Sequence, residues 1–475
     1  MEAYKKYIQA GLIVLTLIFS SCEKWLDVAP QTQIEADKVF EKESGFQDAL
    51  TGVYVKMTSQ SLYGRELTFG MVDGLGGQFY GLGSANDYYS TINYDYDEEK
   101  FIAKSEAVFK DSYNIIANIN LLIQNLNEKG SGLFTGVNYH TIRGEAYGLR
   151  ALLHFDLVRL YGSSLASKGE TALAIPYMEA VGKLPKERLT TRALLNKVIA
   201  DLEVAEQELA AYDPIVPAHS ANATTYLRDR NLKLNYYAVK ALQARVYLYA
   251  GDKTKALAAA RAVIESNVFD WTPSSQIATT VEAQKNRVFT QELIFSLYIN
   301  GMSAITSPYY DEEVSGNLLS RSGTDYVALF DDEFDYRFEY LTTPAVKLWN
   351  IRYSTKFVQP TSSQAAFTNR MPLIRKSELY YIAAECLAET DPAEAIAYVN
   401  VVRAHRNTAA LSSLLNATQV EQEIKREYRK ELIGEGQMFF YYKRKNASQI
   451  DGKFVAVNDD IYVLPLPDKE ISFGQ

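Results

Sequence analysis

The sequence predicts a mainly α-helical protein, in which pairs of helices form a scaffold and long irregular, partly β segments are inserted between the pairs. Two observations support this class. Apolar residues recur at helical spacing in several segments, for example in "LNYYAVKALQARVYLY" at 234–249. Between these segments lie long stretches rich in Gly, Tyr, Asn and Asp, which are typical of loops. The hydrophobic content of 47% is sufficient for a globular core.

The first element is an apolar leader. Two lysines precede an almost unbroken apolar run at 8–19, and two serines precede Cys22. This layout is typical of an export signal, and the run is shorter than the roughly 20 residues that a membrane-spanning helix needs. We therefore predict a signal peptide at 1–21 and a single mature domain at 22–475. Small residues followed by Cys resemble the bacterial lipoprotein signal, which makes Cys22 the predicted lipidation site and membrane anchor.

Four helix pairs follow. The clearest pair joins a helix at 234–249 to one at 253–266 through a turn at Gly251 and Asp252, and it resembles a tetratricopeptide unit. The units do not recur at a fixed period, so we do not predict a plain repeat array. The predicted pairs are approximately 36–59 with 105–127, 141–161 with 191–211, 234–249 with 253–266, and 375–389 with 392–405.

An irregular lobe is predicted at approximately 62–101 and 266–360. It contains β-like runs such as "ELIFSLYI" at 292–299, and loops of this length inside a domain are usually functional. The chain has 34 Tyr against 21 Phe, an excess that favours surfaces where a ring edge reaches water or a ligand hydroxyl. Sugar sites need flat aromatic platforms with Asp or Asn beside them. The lobe supplies both, and the candidate ligand-binding residues are Tyr80, Asn86, Asp87, Tyr88, Tyr89, Tyr298, Tyr309 and Tyr310.

Two adjacent tyrosine pairs stand out within this set, namely Tyr88 with Tyr89 and Tyr309 with Tyr310. Both pairs lie in predicted loops rather than on helical stripes. Two adjacent rings in a loop are difficult to bury together, so we expect at least one ring of each pair to face solvent.

Other site chemistries have weak support. The net charge of −9 and the lack of a basic patch argue against nucleic acid. No histidine follows a metal-ligand or catalytic spacing, and no phosphate-loop pattern occurs, so no cofactor is predicted. The acidic runs at 95–99 and 331–335 leave calcium or hydrolytic carboxylates open, although such runs are usually solvated faces.

The charged helix at 423–435 indicates salt bridges that support the fold, with a ligand clamp as the alternative. Cys386 lies on an apolar helical stripe and is predicted to be a small core residue.

Seven stretches in order resemble one family, the SusD/RagB family of Bacteroidetes outer-membrane lipoproteins. The resemblance spans nearly the whole mature chain, but the segment at 437–442 departs from the family's usual basic residue and aromatic-Asp-Leu run. The stretches are "CEKWLDVAPQTQ", "EAYGLRALLHFDLVRLYG", "QELIFSLY", "DEFDYRF", "PLIRKSELYYIAAECLAE", "IKREYRKELIGEGQMFF" and "YVLPLPDKEI".

The resemblance implies a function. Members bind an oligosaccharide, or sometimes a peptide, at the cell surface. They act as a lid on a TonB-dependent outer-membrane transporter of the SusC type and are not enzymes. Asp73 falls where the family often has an acid that contacts the ligand. The alternative function is a surface receptor of tetratricopeptide type, in which a groove between helix faces binds a peptide or protein.

Overall fold

The computed structural model describes residues 38–182, 186–314, 316–453 and 455–473. The predicted signal peptide and Cys22 lie outside these residues. The chain divides into two units, residues 1–47 and 48–475, and the features below belong to the second unit, except for the beginning of the helix Glu43–Met57. No helix of the described ranges is long and apolar enough to cross a membrane.

The helical scaffold has a helix in each predicted place. The helices of at least six residues within 43–444 are labelled in chain order: α1 Glu43–Met57, α2 Glu99–Lys129, α3 Asn138–Tyr161, α4 Thr191–Tyr212, α5 Tyr236–Tyr249, α6 Lys253–Ile264, α7 Met302–Tyr310, α8 Gly323–Phe330, α9 Tyr336–Leu341, α10 Lys376–Leu387, α11 Pro392–Ala404, α12 Ala417–Glu431 and α13 Met438–Arg444. Shorter helices include Met71–Leu75 and Tyr89–Ile92.

The long helices pack as consecutive pairs. Helix α3 packs against α4, α5 against α6, and α10 against α11, while α2 lies on α3 and α6 lies on α10. Helix α3 approaches α4 closely at Gly144, where there is no side chain. A Cβ added at Gly144 would lie only 2.6 Å from Cγ of Leu209 on α4. The predicted fold class, mainly α with a scaffold of helix pairs, is confirmed.

Capping side chains explain where these helices begin. Asn235 accepts a hydrogen bond from the backbone N–H of Ala238 at 3.0 Å, which starts α5. Asp391 accepts one from the N–H of Glu394 at 2.9 Å, which starts α11 at Pro392. Each bond satisfies one of the N–H groups that the first helical turn leaves without a partner.

In the part of the chain that the structure describes, five short strands form two small antiparallel sheets. Strand β1 Leu293–Tyr298 pairs with β5 Arg370–Arg375, with Tyr298 opposite Arg370. The second sheet has the order β2–β4–β3, built from β2 Ser320–Ser322, β3 Thr342–Pro344 and β4 Ile351–Ser354. The predicted β-like run at 292–299 is therefore a strand. Strands β3 and β4 form a hairpin whose connecting loop is residues 345–350.

A buried network of ion pairs joins the scaffold to this lobe. Glu431 of α12 accepts hydrogen bonds from Arg375 at 2.5 Å and from Arg406 at 2.7 Å. Arg337 of α9 contacts both Glu427 and Glu431, at 2.9 and 2.8 Å. Burial alone would raise the pKa of Glu431, but these three guanidinium groups hold it well below its usual range. The inward face of α12 is thus a charged core that fixes the helix in place.

Candidate functional site

Three of the four tyrosines in the two predicted pairs, Tyr88, Tyr309 and Tyr310, do meet in space, but they meet in the core. The rings of Tyr88 and Tyr309 lie 5.7 Å apart between centroids, and Tyr310 lies 5.4 Å from Phe69. The Tyr88 hydroxyl donates to the buried carboxylate of Glu66 at 3.1 Å. The segments at 88–89 and 309–310 therefore converge as an aromatic cluster around Phe69.

The exposure expected for the second pair is wrong. Tyr309 and Tyr310 are 5% and 4% exposed, because they end helix α7 rather than lying in a loop, and this places both rings against Phe69. The first pair behaves as expected, since Tyr88 is buried whereas Tyr89 is 43% exposed. Tyr88, Tyr309 and Tyr310 are therefore packed inside the protein in this structure.

Asp73 is also buried, where it organises a loop of the backbone. Its Oδ2 accepts a hydrogen bond from the N–H of Gly434 at 2.6 Å, and its Oδ1 accepts one from the N–H of Gly436 at 2.8 Å. Burial raises the pKa of Asp73 to about 7. Both carboxylate oxygens are thus engaged by the segment that follows α12. Asn86 is buried as well, and its Oδ1 accepts from the N–H of Tyr88 at 2.9 Å.

Two other predicted residues keep accessible surface. Asp87 stands beside Lys100, 3.9 Å from its ammonium, and its side chain is 39% exposed. Tyr298 ends β1 and is 49% exposed. Its ring contacts Arg370 and its hydroxyl accepts a bond from Asn369 at 3.4 Å. The structure does not bring Tyr298 into contact with the other predicted site residues.

Tyr80 stands in the wall of an open cleft of about 580 Å³. The opposite wall is the outward face of α12, and we call this space the Tyr80 cleft. Its volume lies in the range of small-molecule sites. The charged residues that line it are Asp325, Lys425, Arg426, Arg429, Asp451 and Lys453.

Tyr80 is held in this wall at both ends. Its hydroxyl donates to Oδ2 of Asp325 at 2.6 Å. The ring lies directly against Gly452, where an added Cβ would come within 2.5 Å of the ring. Gly452 also has a φ of +82°, so a side chain there is doubly unfavourable.

Helix α12 therefore has two charged faces with different surroundings. Glu427 and Glu431 point into the buried ion network, as the salt-bridge prediction for 423–435 requires. Lys425, Arg426 and Arg429 line the Tyr80 cleft. The structure thus makes the helix a support on its inner face. Its outer cations form ion pairs with Asp331 and Asp451 at the cleft, and the ligand clamp stays the alternative.

The hairpin loop at 345–350 presents the most exposed large side chain near this cleft. Trp349 is 93% exposed, and its neighbours Val346 and Leu348 are 88% and 48% exposed. We call these three residues the hairpin tip. Contiguous exposed apolar patches mark interaction sites in other proteins, so the hairpin tip is a candidate contact surface.

Backbone contacts fix the hairpin tip. The N–H of Ala345 donates to the carbonyl of Ile351 at 2.9 Å, which closes the loop, and the N–H of Val346 donates to Glu312 at 2.9 Å. The N–H of Gly323 donates to the carbonyl of Asn350 at 2.8 Å. The indole is therefore presented on an ordered loop, which lowers the entropy that binding would cost.

The hairpin lies between two cavities. At the end of the hairpin loop, Asn350 donates to the hydroxyl of Thr324 at 3.2 Å. Asp325, which follows Thr324 in the chain, lines the Tyr80 cleft. At its base, Thr343 and Tyr353 line a second cavity of about 370 Å³, which Tyr310 also borders. The hairpin thus lines the second cavity directly and is linked to the Tyr80 cleft through Thr324.

Trp349 and Lys453 were not among the predicted site residues, and Arg426 was predicted only through the alternative of a ligand clamp on the helix at 423–435. Trp349 is one of only three tryptophans and is followed by Asn, with a lysine two residues before it, instead of lying in an apolar run. That context is a usable signal for a surface aromatic. Lys453 has no comparable signal, because its position in the cleft depends on the packing of distant segments.

The acidic runs do not form a metal cluster in this structure. Asp331 pairs with Arg426 and Lys430, both at 2.8 Å, and Asp335 pairs with Arg337 at 2.6 Å. Within the described ranges, no group of three His, Cys, Asp or Glu side chains is arranged to hold a metal ion.

Cys386 lies on α10, where it is buried and unpaired. Burial raises the pKa of its thiol to about 12. The residue therefore packs as a small apolar group, as its place on an apolar stripe predicts.

Sequence comparison finds two family profiles along the chain. The profile described as "SusD family" matches residues 326–472, and the one described as "Starch-binding associating with outer membrane" matches residues 24–248. The SusD-like protein P38 of Formosa agariphila is 24% identical, covering 98% of this chain and 97% of the relative.

Solved structures agree with these matches. A SusD superfamily protein of Bacteroides thetaiotaomicron superposes with a TM-score of 0.72 at 25% identity, covering 91% of this chain and 98% of that one. A laminarin-binding SusD-like protein superposes with a TM-score of 0.61 at 18% identity, covering 91% and 98%. The helix-pair scaffold, the order of its motifs and these matches lead to one conclusion: the chain belongs to the SusD/RagB family.

Proposed function

We propose that this protein binds an oligosaccharide on the surface formed by the hairpin tip and the Tyr80 cleft, and passes it on for import without chemical turnover. The observation that carries the proposal is Trp349, an indole that is 93% exposed on a loop fixed by backbone hydrogen bonds. The apolar C–H face of a sugar ring can stack on such a platform, while polar groups bind its hydroxyls.

The surroundings of the indole suit this ligand class. Ser322, Thr324 and Asn350 form a small cluster of hydroxyl and amide groups at the base of the loop. Tyr80 and Asp325 continue the polar surface into the cleft. An aromatic platform beside short polar side chains matches a saccharide, which alternates apolar faces with hydroxyl edges.

Two further observations support a location for the protein in the cell. The leader that ends at Cys22 predicts a lipid anchor, and the profile that matches residues 24–248 describes proteins associated with the outer membrane. We therefore propose that the protein lies at the outer membrane, bound to a SusC-like TonB-dependent transporter. Native protein extracted from membranes should co-purify with a β-barrel protein of transporter size, and its recovery without such a partner would count against this assembly.

Binding to the hairpin tip is tested with one pair of variants. Trp349→Ala should weaken the binding of neutral oligosaccharides such as laminarin fragments by about tenfold, since ring stacking is worth roughly 1–3 kcal/mol. Leu414→Ala is the matched control, because Leu414 is equally accessible at 91% exposed but lies in the loop between α11 and α12. Calorimetry with both variants and the wild type decides the question.

The same proteins distinguish the alternative function. A peptide library screened in parallel should give no binder that depends on Trp349. Peptide binding in the absence of any oligosaccharide binding would favour the tetratricopeptide-type receptor and overturn the proposed function.

A further inference from the structure

The charges of the Tyr80 cleft differ from those of the whole chain. The chain has a net charge of −9. The lining of the cleft has four cationic side chains, Lys425, Arg426, Arg429 and Lys453, against the two carboxylates of Asp325 and Asp451. A concave surface with an excess of one sign concentrates its field in the cleft. The cleft is therefore a local environment suited to an anion, although the chain as a whole is acidic.

Lys453 is the clearest case of a cation without a counter-ion. Its ammonium donates to the carbonyl of Ile92 at 2.7 Å and lies 5.0 Å from the centroid of the Tyr94 ring. Among the described residues, no carboxylate lies within ion-pair distance of it. Burial lowers the pKa of Lys453 to about 7, since nothing nearby compensates the charge. An anion in the cleft would provide that compensation.

A second uncompensated cation lies close to the cleft wall. Arg321 is fully buried, its guanidinium is 5.9 Å from the centroid of the Tyr80 ring, and it donates to the carbonyl of Gln78. In the described part of the chain, no carboxylate pairs with it, and its Nε and Nη1 have no hydrogen-bond partner. Arg321 cannot touch a ligand in the cleft, but its charge adds to the positive field there.

The cations of α12 retain donors that a ligand can use. Arg426 binds Asp331 through Nη1, at 2.8 Å, and its side chain is 40% exposed. Lys425 and Arg429 share the single carboxylate of Asp451, each at 3.1 Å. A guanidinium has five N–H donors, so one or two ion pairs leave several directed at solvent.

From these observations we propose that the Tyr80 cleft binds an anionic substituent, a carboxylate or a sulfate, on the saccharide that the hairpin tip holds. The inference rests on the proposed function and names its substrate class: acidic rather than neutral oligosaccharides. Arg426 and Lys453 contact the anion, and Tyr80 forms the wall beside it.

The test uses matched saccharides that differ only in charge. An oligogalacturonide and its methyl ester examine carboxylate recognition. A sulfated galactan oligosaccharide and its desulfated form examine sulfate recognition. The acidic member of at least one pair should bind at least tenfold more tightly, and the difference should shrink as salt is raised from 20 to about 500 mM, since screening weakens exposed ion pairs.

Three variants test which side chains cause the preference for the acidic saccharide. Arg426→Gln should weaken the binding of the acidic member about tenfold, because a hydrogen bond to a charged group is of this strength, and should weaken the binding of the neutral member much less. Arg192→Gln is the matched control, since Arg192 is 38% exposed and also forms an ion pair, with Glu170, on α4. Lys453→Met should lose the preference for the acidic member. Its melting temperature should fall because the bond to the Ile92 carbonyl is lost, so binding is measured well below that temperature. A merely structural lysine would lose stability but keep the preference.

The outcomes separate this inference from the proposed function. Equal binding of charged and neutral members, with Trp349 still required, overturns the anion site and leaves oligosaccharide binding intact. Binding of no member of either pair, nor of laminarin fragments, overturns both. A preference for the acidic member that Arg426→Gln does not reduce places the anion elsewhere and also overturns the proposal.

Discussion

The hydroxyl of Tyr80 donates a hydrogen bond to the carboxylate of Asp325 at 2.6 Å, across 245 positions of the sequence. This bond ties the segment after Met71–Leu75 to helix α8 and fixes one edge of the cleft. Burial raises the pKa of Tyr80, so its hydroxyl remains a donor across the physiological range.

A double-mutant cycle measures this bond. Tyr80→Phe and Asp325→Ala should each lower the free energy of unfolding by less than about 1 kcal/mol, because the pair is partly exposed. Their coupling energy in urea unfolding should be about 0.5–1 kcal/mol. Additive single effects would mean that the bond does not form in solution.

The adjacent residues Tyr88 and Tyr89 should respond in opposite ways. Tyr88→Ala should cost about 3–5 kcal/mol of stability, since its ring is fully buried in the cluster around Phe69. Tyr89→Ala should change stability by less than about 0.5 kcal/mol and should weaken saccharide binding by no more than tenfold. Thermal unfolding and calorimetry on both variants test this, and equal losses of stability would contradict the burial seen here.

Asp73 is predicted to act on stability and not on the ligand. Asp73→Asn replaces one acceptor by an N–H that faces the N–H of Gly434 or Gly436, which should cost about 1–3 kcal/mol. Saccharide affinity of the folded variant, measured well below its melting temperature, should match the wild type. A loss of affinity without a loss of stability would instead assign Asp73 to the site.

His154 should make the scaffold sensitive to acid. Its Nδ1 bonds to the carbonyl of Arg150 at 2.9 Å, and its Nε2 accepts from the N–H of Met178 at 3.0 Å, so only the neutral ring satisfies both contacts. Burial lowers the pKa of His154 to about 3, against about 6.5 in the unfolded chain. Between these values the unfolded chain binds the additional proton, and stability therefore falls as the pH decreases.

Urea unfolding from pH 7 to 4 measures this effect. The contribution of His154 to the slope should be about 1.4 kcal/mol per pH unit at most, and His154→Gln should remove it. His219→Gln, in the short helix Pro217–Asn222, is the control substitution. An unaltered slope in His154→Gln would show that other groups cause the acid sensitivity.

Cys22 is predicted to carry the membrane anchor. Cys22→Ala should move the protein from the membrane fraction to the soluble fraction, because stable anchoring depends on the acyl chains attached to this residue. Detergent-free fractionation of cells is the measurement. A variant that stays with the membrane in this fractionation would contradict the lipoprotein prediction.

The helices could be predicted because their signals are local. The stripe at 234–249 spans about four turns of a single helix and the cap at Asp391 lies within one turn, and the structure has both. The exposure of Tyr309 and Tyr310 could not be predicted in the same way. Helix α7 contains Pro308, and a proline usually indicates a loop. The two tyrosine rings are buried against Phe69, which lies about 240 residues earlier in the chain.

The charged core shows the same limit. Glu292 and Arg406 meet although 114 positions separate them, and nothing in either local sequence indicates the pairing. The sequence around α12 predicted salt bridges correctly. It could not tell which cations face inward and which line a cleft, because that division depends on where α9 and β5 lie.

The construction of the hairpin tip has a consequence for how such a protein can diversify. Its loop is closed by the backbone of Ala345 and Ile351 and held at Gly323 by the backbone of Asn350, so these anchors do not depend on which side chains the loop carries. Trp349 contributes almost nothing to packing. A different sequence could therefore be grafted onto residues 346–349, and the scaffold would present a new recognition surface at little cost in stability.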